Sequence, residues 1–163
     1  LLFLFALLIA CPGIKSSVQV ITAFTVAHSL TLIAVTSVGI TLEPLWVEPL
    51  IAASIVVAGV LNLAKRGSLH QRSGVAFGFG LVHGLGFAGL LKELGVAGAD
   101  SVLAPLLLFN LGVEVGQLLF AIPLLVLLGA MRSSWAYQHR VMPIASGLVA
   151  VVGIAWFLER VNG

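Results

Sequence analysis

One segment of the chain reads VLAPLLLFNLGVEVGQLLFAIPLLVLLGAM, from Val102 to Met131. Glu114 is its only ionisable side chain. A helix needs about 20 mainly apolar residues to cross the hydrocarbon core of a bilayer. The segment therefore predicts a membrane-spanning helix that is long enough to tilt, or to kink at Pro123.

The rest of the chain has the same apolar character. Of its 163 residues, 60% are hydrophobic and 9% are charged, whereas soluble domains average about 45–50% and about 25%. So few charges exclude a soluble globular enzyme, a disordered chain and a nucleic-acid-binding protein. We predict an all-α, polytopic helical bundle that forms a single transmembrane domain over residues 1–163, with the lipid bilayer as its partner.

Six apolar segments predict about six transmembrane helices. They are Leu1–Pro12, Ser17–Ile40, Pro49–Ala64, Gly74–Leu91, Val102–Met131 and Val141–Leu158. The first segment is too short to span the bilayer alone, and it begins without a methionine or a polar flank. We therefore expect native residues to precede Leu1. The third helix is predicted to begin at Pro49, because proline is favoured in the first turn of a helix.

The charges between these segments alternate between the two ends of the bundle. Side A is the end reached after the first, third and fifth segments, and it carries only positive charges: Lys15, Lys65, Arg66, Arg72, Arg132 and Arg140. Side B contains Glu43, Glu48, Glu93, Asp100 and Glu159, together with Lys92 and Arg160. The positive-inside rule predicts that side A is cytoplasmic. Both ends of the chain would then face the outside, which is the periplasm in a bacterium.

Three ionisable side chains lie deep within predicted spans: His28, His83 and Glu114. Such groups cost about 2.5–3.5 kcal/mol on insertion scales, so they usually face the bundle interior and have a function. All three reach a similar depth from different helices, which predicts a site for a divalent transition metal, since imidazole is a common ligand of these ions. The alternative is a buried Glu–His pair, or a protonated Glu114, that locks the bundle.

Other polar residues of the same helices would support such a site. Asn110 and Gln117 share a helix face with Glu114 at i, i+4, i+7 spacing. Thr25 and Ser29 belong to a stripe of hydroxyl side chains in the second segment, which predicts supporting ligands or interhelical hydrogen bonds.

Glycines crowd the fourth segment, and two polar residues mark the third. The glycines indicate either tight helix packing or space for an ion beside His83. Glu48 is predicted to be a favourable charge at a helix N-terminus, or a group that gathers cations at an outer entrance. Asn62 is predicted to form an interhelical hydrogen bond.

Signatures of catalysis are missing from the chain. It contains no HExxH, Walker A or GxSxG motif. A Ser–His hydrolase site could be formed by Ser29 or Ser54 with His83, but residue type is the only argument for it. Cys11 is the only cysteine, so no intramolecular disulfide or cysteine-based metal site forms. We predict no enzymatic activity and no organic cofactor.

Four stretches together resemble the HupE/UreJ family, in its second type. They are TAFTVAHSLTL (Thr22–Leu32), VEPLIAASIVVAGVLNL (Val47–Leu63), FGLVHGLGFAGLL (Phe79–Leu91) and FNLGVEVGQL (Phe109–Leu118). Relatives are inner-membrane proteins associated with hydrogenase and urease gene clusters, and they are regarded as nickel or cobalt permeases.

The resemblance also implies roles for individual residues. His28, His83 and Glu114 would be the polar transport residues, and Glu48, Asn110 and Gln117 would support them. Family members usually carry an Asp-His pair ahead of the first apolar run, and this chain begins after that point. They also tend to have an acidic residue before the asparagine of the third helix, where this chain has Leu61.

The sequence therefore predicts a permease for a divalent transition metal, with nickel or cobalt favoured and zinc or copper as further candidates. No ATP-binding motif is present, so transport would be passive or coupled to an ion gradient. Membrane-protein partners or a homo-oligomer are expected, and nucleic acid is not. The main alternative is an accessory or structural subunit of a larger membrane complex. A more distant alternative is an intramembrane enzyme.

Overall fold

The computed structural model describes residues 1–38, 44–64, 68–93 and 103–162, and its regular structure is helical throughout these ranges. The helices are α1 (Leu2–Ile9), α2 (Ile14–Val38), α3 (Pro44–Leu63), α4 (Leu69–Glu93), α5 (Leu103–Met131) and α6 (Met142–Asn162). A π-helical turn, Tyr137–Val141, leads directly into α6. The prediction of an all-α bundle is confirmed.

Four of the described helices are long and apolar enough to cross a membrane. These spans are Ile14–Val35, Leu45–Leu63, Ala104–Met131 and Tyr137–Asn162. Helix α4 has 25 residues, which is also sufficient length, but its first turns are polar. Helix α1 has 8 residues and is about 12 Å long.

Several predicted helix boundaries are wrong, among them the start of α2, at Ile14 instead of Ser17, and the start of α4, at Leu69 instead of Gly74. Helix α3 begins at Pro44 rather than at Pro49, which lies inside the helix. Pro44 already provides the fixed φ angle and the missing N–H that suit a first helical position. The sixth span begins with the π-helical turn at Tyr137, so it starts earlier than the predicted Val141.

Helix α1 lies inside the bundle. Most of its residues are buried: Phe3, Leu4, Ala6, Leu7, Leu8 and Ile9. It contacts α2, α3, α5 and α6. A helix that is hydrophobic all round is buried either in protein or in lipid, and α1 is enclosed by its neighbours.

Side chains from neighbouring helices cap the C-terminal end of α1. The last carbonyls of a helix have no partner within it. Here Asn62 Nδ2 donates to Ala6 O at 2.7 Å, and Arg132 Nη2 donates to Leu8 O at 3.4 Å. The positive charge of Arg132 also suits the negative end of the helix dipole. The prediction that Asn62 forms an interhelical hydrogen bond is confirmed.

The closest helix pair is formed by α2 and α4, which run parallel. A Cβ atom added to Gly80 would lie 2.6 Å from Phe24 O, and one added to Gly84 would lie 2.6 Å from His28 O. Small residues allow this close approach of two backbones. The glycines at these two positions therefore serve tight packing, as one of the two interpretations of the sequence predicted.

The pair formed by α3 and α6 runs antiparallel. The space beside Gly59 is filled by Ala150, and that beside Gly153 by Val56. A parallel α2–α4 pair and an antiparallel α3–α6 pair are both expected when consecutive helices cross in alternating directions.

Substitution of Gly84 by alanine tests the α2–α4 contact. The new methyl group would meet His28 O at 2.6 Å and Thr31 Cβ at 2.8 Å. We expect Gly84→Ala to destabilise the protein by about 1–3 kcal/mol, the usual effect of overpacking, as measured by thermal unfolding in detergent. The control is Gly78→Ala on the same helix, where no atom lies within 4 Å. Equal stability of the two variants would contradict the packing described here.

Candidate functional site

The close approach of α2 and α4 brings His28 and His83 to one cavity. The cavity has a volume of about 220 Å³, and α1, α2, α4 and α5 all contribute to its walls. We call it the histidine cavity. Its other lining residues are mostly apolar: Leu1, Phe3, Leu4, Phe24, Phe87, Val113, Gly116 and Gln117.

His28 is buried among aromatic rings. It is 2% exposed, stacks on Phe24 with a centroid distance of 6.0 Å, and meets the Phe87 ring edge-on at 5.3 Å. Neither of its ring nitrogens has a hydrogen-bond partner among the described residues. A buried polar group without a partner costs about 1–3 kcal/mol. His28 therefore has nitrogen atoms available for a ligand in the cavity.

His83 is oriented by Ser54 of α3. The Ser54 hydroxyl donates to Ile51 O at 2.6 Å and lies 3.1 Å from His83 Nε2. Because its single proton is engaged by Ile51, the hydroxyl accepts a hydrogen bond from Nε2–H. This tautomer leaves the lone pair on Nδ1 of His83. Phe3 packs against the same ring with a centroid distance of 5.1 Å.

Ser54 was considered in the sequence only as a hydrolase nucleophile. A serine nucleophile would donate its proton to the histidine, whereas here the Ser54 hydroxyl accepts a hydrogen bond from the imidazole. Its role as a positioning residue for His83 was not predicted. The only signal in the sequence is a single hydroxyl residue within the apolar run LIAASIVVAG.

Glu114 lies apart from the two histidines. It is exposed on α5 and lines a second cavity of about 210 Å³ together with Thr22, Thr25 and Gln117. We call this second cavity the α2–α5 groove. Within the described residues, no group of three His, Cys, Asp or Glu side chains is placed to hold a metal ion. The structure therefore brings the two histidines together and does not bring Glu114 to them.

The rotation of α5 explains this separation. Gln117 is buried and Asn110 is half-buried, so the face between them is directed into the bundle. Successive residues of a helix turn by about 100°, which places Glu114 about 40–60° away from both. The shared face was predicted, but Glu114 lies at its edge.

The other supporting residues join α2 to α5. Thr25 Oγ1 donates to Gln117 Oε1 at 3.0 Å, and Ser29 Oγ donates to Asn110 Oδ1 at 3.1 Å. These contacts agree with the interpretation of the hydroxyl stripe as interhelical hydrogen bonds. Gln117 also lines both cavities, so it forms part of the wall between them.

Glu48 does not line the histidine cavity and pairs with Arg160 of α6. The distance from Glu48 Oε2 to Arg160 Nη1 is 2.9 Å, and both side chains are about half exposed. Trp156 lines the surface cavity beside the pair. The contact agrees with the assignment of both residues to side B.

The family model for HupE/UreJ proteins matches residues 1–160. The chain belongs to the HupE/UreJ family. No curated protein and no solved structure gives a significant match. The match extends beyond the four quoted motifs to α1 and α6. Together with the four apolar helices it identifies a multi-pass membrane protein of a family that is associated with nickel and cobalt uptake.

Replacing Ser54 by alanine tests how this HupE/UreJ protein orients His83. Without the hydroxyl acceptor, the preference for a proton on Nε2 weakens. We therefore expect the ¹⁵N NMR signals of His83 to shift from the Nε2–H form toward a mixture of both neutral tautomers.

The matched control for this measurement is Ser29→Ala, since Ser29 bonds Asn110 rather than a histidine. The control should leave the His83 signals unchanged. If Ser54→Ala also leaves them unchanged, Ser54 does not set the tautomer.

Proposed function

We propose that this HupE/UreJ protein conducts a divalent transition-metal ion, nickel or cobalt first, through a bacterial inner membrane. His28 and His83 would bind the ion within the membrane. The observation that carries the proposal is that both imidazoles line one cavity while the ring nitrogens of His28 have no described partner. Membership of a family associated with nickel and cobalt uptake supports the same choice.

The chemistry of the histidine cavity suits transient binding of a transported metal ion better than permanent binding. Neutral imidazole binds nickel, zinc, copper and iron well. Two nitrogen ligands fill only part of the coordination shell of such an ion, so water and the amide oxygen of Gln117 would complete it. A passing ion has to bind strongly enough to enter and weakly enough to leave. Since the imidazoles must be neutral to bind, affinity would fall as the pH is lowered.

The direction of transport would follow from the charges at the two ends. With the basic side A in the cytoplasm, the ion would enter from side B. Glu48 would help to gather it there, after exchanging its present partner Arg160 for the cation.

A fixed role within a larger membrane complex is the second candidate. It is favoured by the separation of Glu114 from the histidines, because the described residues do not assemble a site with three such ligands. In that case His28 and His83 would hold helices or a permanent metal ion.

Uptake of radioactive nickel by cells expressing the native full-length protein distinguishes these functions. We expect His28→Ala and His83→Ala each to lower uptake by about tenfold or more, the scale of effect seen when groups at a metal site are lost. His139→Ala is the matched control, because His139 is exposed and faces Trp135 O, away from the cavity. Its uptake should equal that of the wild type.

Unchanged uptake in both histidine variants, at normal membrane abundance, would contradict the permease function. A partner protein that co-purifies in a fixed ratio would then favour the subunit role.

A further inference from the structure

The α2–α5 groove is a second polar site, and it differs in chemistry from the histidine cavity. Its polar lining consists of Thr22, Thr25, Glu114 and Gln117. Their metal-binding atoms are all oxygens, from one carboxylate, two hydroxyls and one amide, and the rest of the lining is aliphatic. Oxygen donors favour hard cations, whereas imidazole favours transition metals.

An ionised Glu114 would need a compensating charge at this depth. It lies 11 residues after the start of α5, or about 17 Å along the helix axis, which is well inside the bilayer. A carboxylate there is costly unless it is paired. Within the described ranges, the only side-chain salt bridge is the one between Glu48 and Arg160, and a bound cation would supply the charge that Glu114 lacks there.

The charge balance selects the valence of that ligand. One carboxylate and one monovalent cation form a neutral pair, and oxygen donors favour a hard cation over a transition metal. Hydroxyl and amide oxygens around a single carboxylate form a donor set that suits a sodium ion. We propose that the α2–α5 groove binds Na⁺ between Glu114, Thr22, Thr25 and Gln117.

Gln117 connects this sodium site to the histidine cavity. Its Oε1 atom accepts a hydrogen bond from Thr25 at 3.0 Å, and its side chain lines both cavities. A cation that recruits Gln117 or Thr25 as a ligand changes this hydrogen bond and thereby alters the wall of the histidine cavity. Sodium binding is thus a means of coupling metal transport to an ion gradient. This coupling rests on the proposed permease function, whereas sodium binding itself does not.

The helix that carries Glu114 has room to respond. Of the four described helices that could cross a membrane, α5 is the least buried. Only 17% of its most apolar stretch is enclosed by the rest of the protein. Its described side-chain hydrogen bonds to α2 are those of Gln117 and Asn110. A change at Gln117 therefore acts on one of the few polar contacts that fix α5 against α2.

The sodium site can be tested by equilibrium binding of ²²Na⁺. The measurement uses the purified full-length protein in nanodiscs, with choline as the other cation in the buffer. We expect saturable binding by the wild type and a loss of affinity of about tenfold or more in Glu114→Gln. The matched control is Glu159→Gln, which removes an exposed carboxylate near the end of α6 and should leave binding unchanged. His83→Ala should also bind Na⁺ normally.

Thermal unfolding in choline buffer checks that Glu114→Gln is folded. Thr22→Val provides a second variant, because Thr22 is an exposed residue of the groove, and it should weaken Na⁺ binding without loss of the protein. The sodium site is overturned if the wild type binds no Na⁺ saturably, or if Glu114→Gln and Thr22→Val both bind it as the wild type does.

Nickel uptake into proteoliposomes, with and without an inward Na⁺ gradient, tests the coupling separately. A gradient should stimulate the wild type and should not stimulate Glu114→Gln. Sodium binding without any nickel uptake would refute the permease function and leave the sodium site standing. Nickel uptake that follows a pH gradient, without sodium binding, would refute the sodium site alone.

Discussion

The backbone contact between α2 and α4 is the constraint on which the rest of this structure depends. Helices in a bilayer are not driven together by the hydrophobic effect, because lipid tails are as apolar as leucine. Gly80 and Gly84 instead allow α4 to approach the carbonyls of Phe24 and His28. His83 directly precedes Gly84, so the contact that joins the helices also sets the two imidazoles at the same level. The histidine cavity is in this sense a product of helix packing.

The helices could be predicted from the sequence, because they follow from the composition and the length of the apolar segments. The charges between the segments predicted which helix ends lie on the same side of the bundle. The pairing of Glu48 with Arg160, both assigned to side B, illustrates this. The role of Asn62 could also be anticipated, since a lone amide in an apolar helix requires a partner. Helix boundaries were less certain where two prolines lie five residues apart, as at Pro44 and Pro49.

The rotation of a helix about its axis could not be predicted in the same way. A hydrophobic stripe reveals the inner face of a helix in water, but a helix exposed to lipid is apolar on both faces, so α5 has almost no such signal. The displacement of Glu114 by about 40–60° from Asn110 and Gln117 was enough to move it from the histidine cavity to the α2–α5 groove. The contact of Ser54 with His83 likewise depends on how α3 is rotated against α4. A single amino-acid sequence does not reveal this rotation.

The buried helix α1 has a consequence for how the bundle is held together. Its first residues line the histidine cavity, while the carbonyls at its far end are held by Asn62, Arg132 and Tyr137. Helix α1 thus fills the half of the bundle between the cavity and the basic end. Three other segments of the chain anchor it at this end, so any shift of α1 along its own axis would have to break all three hydrogen bonds together.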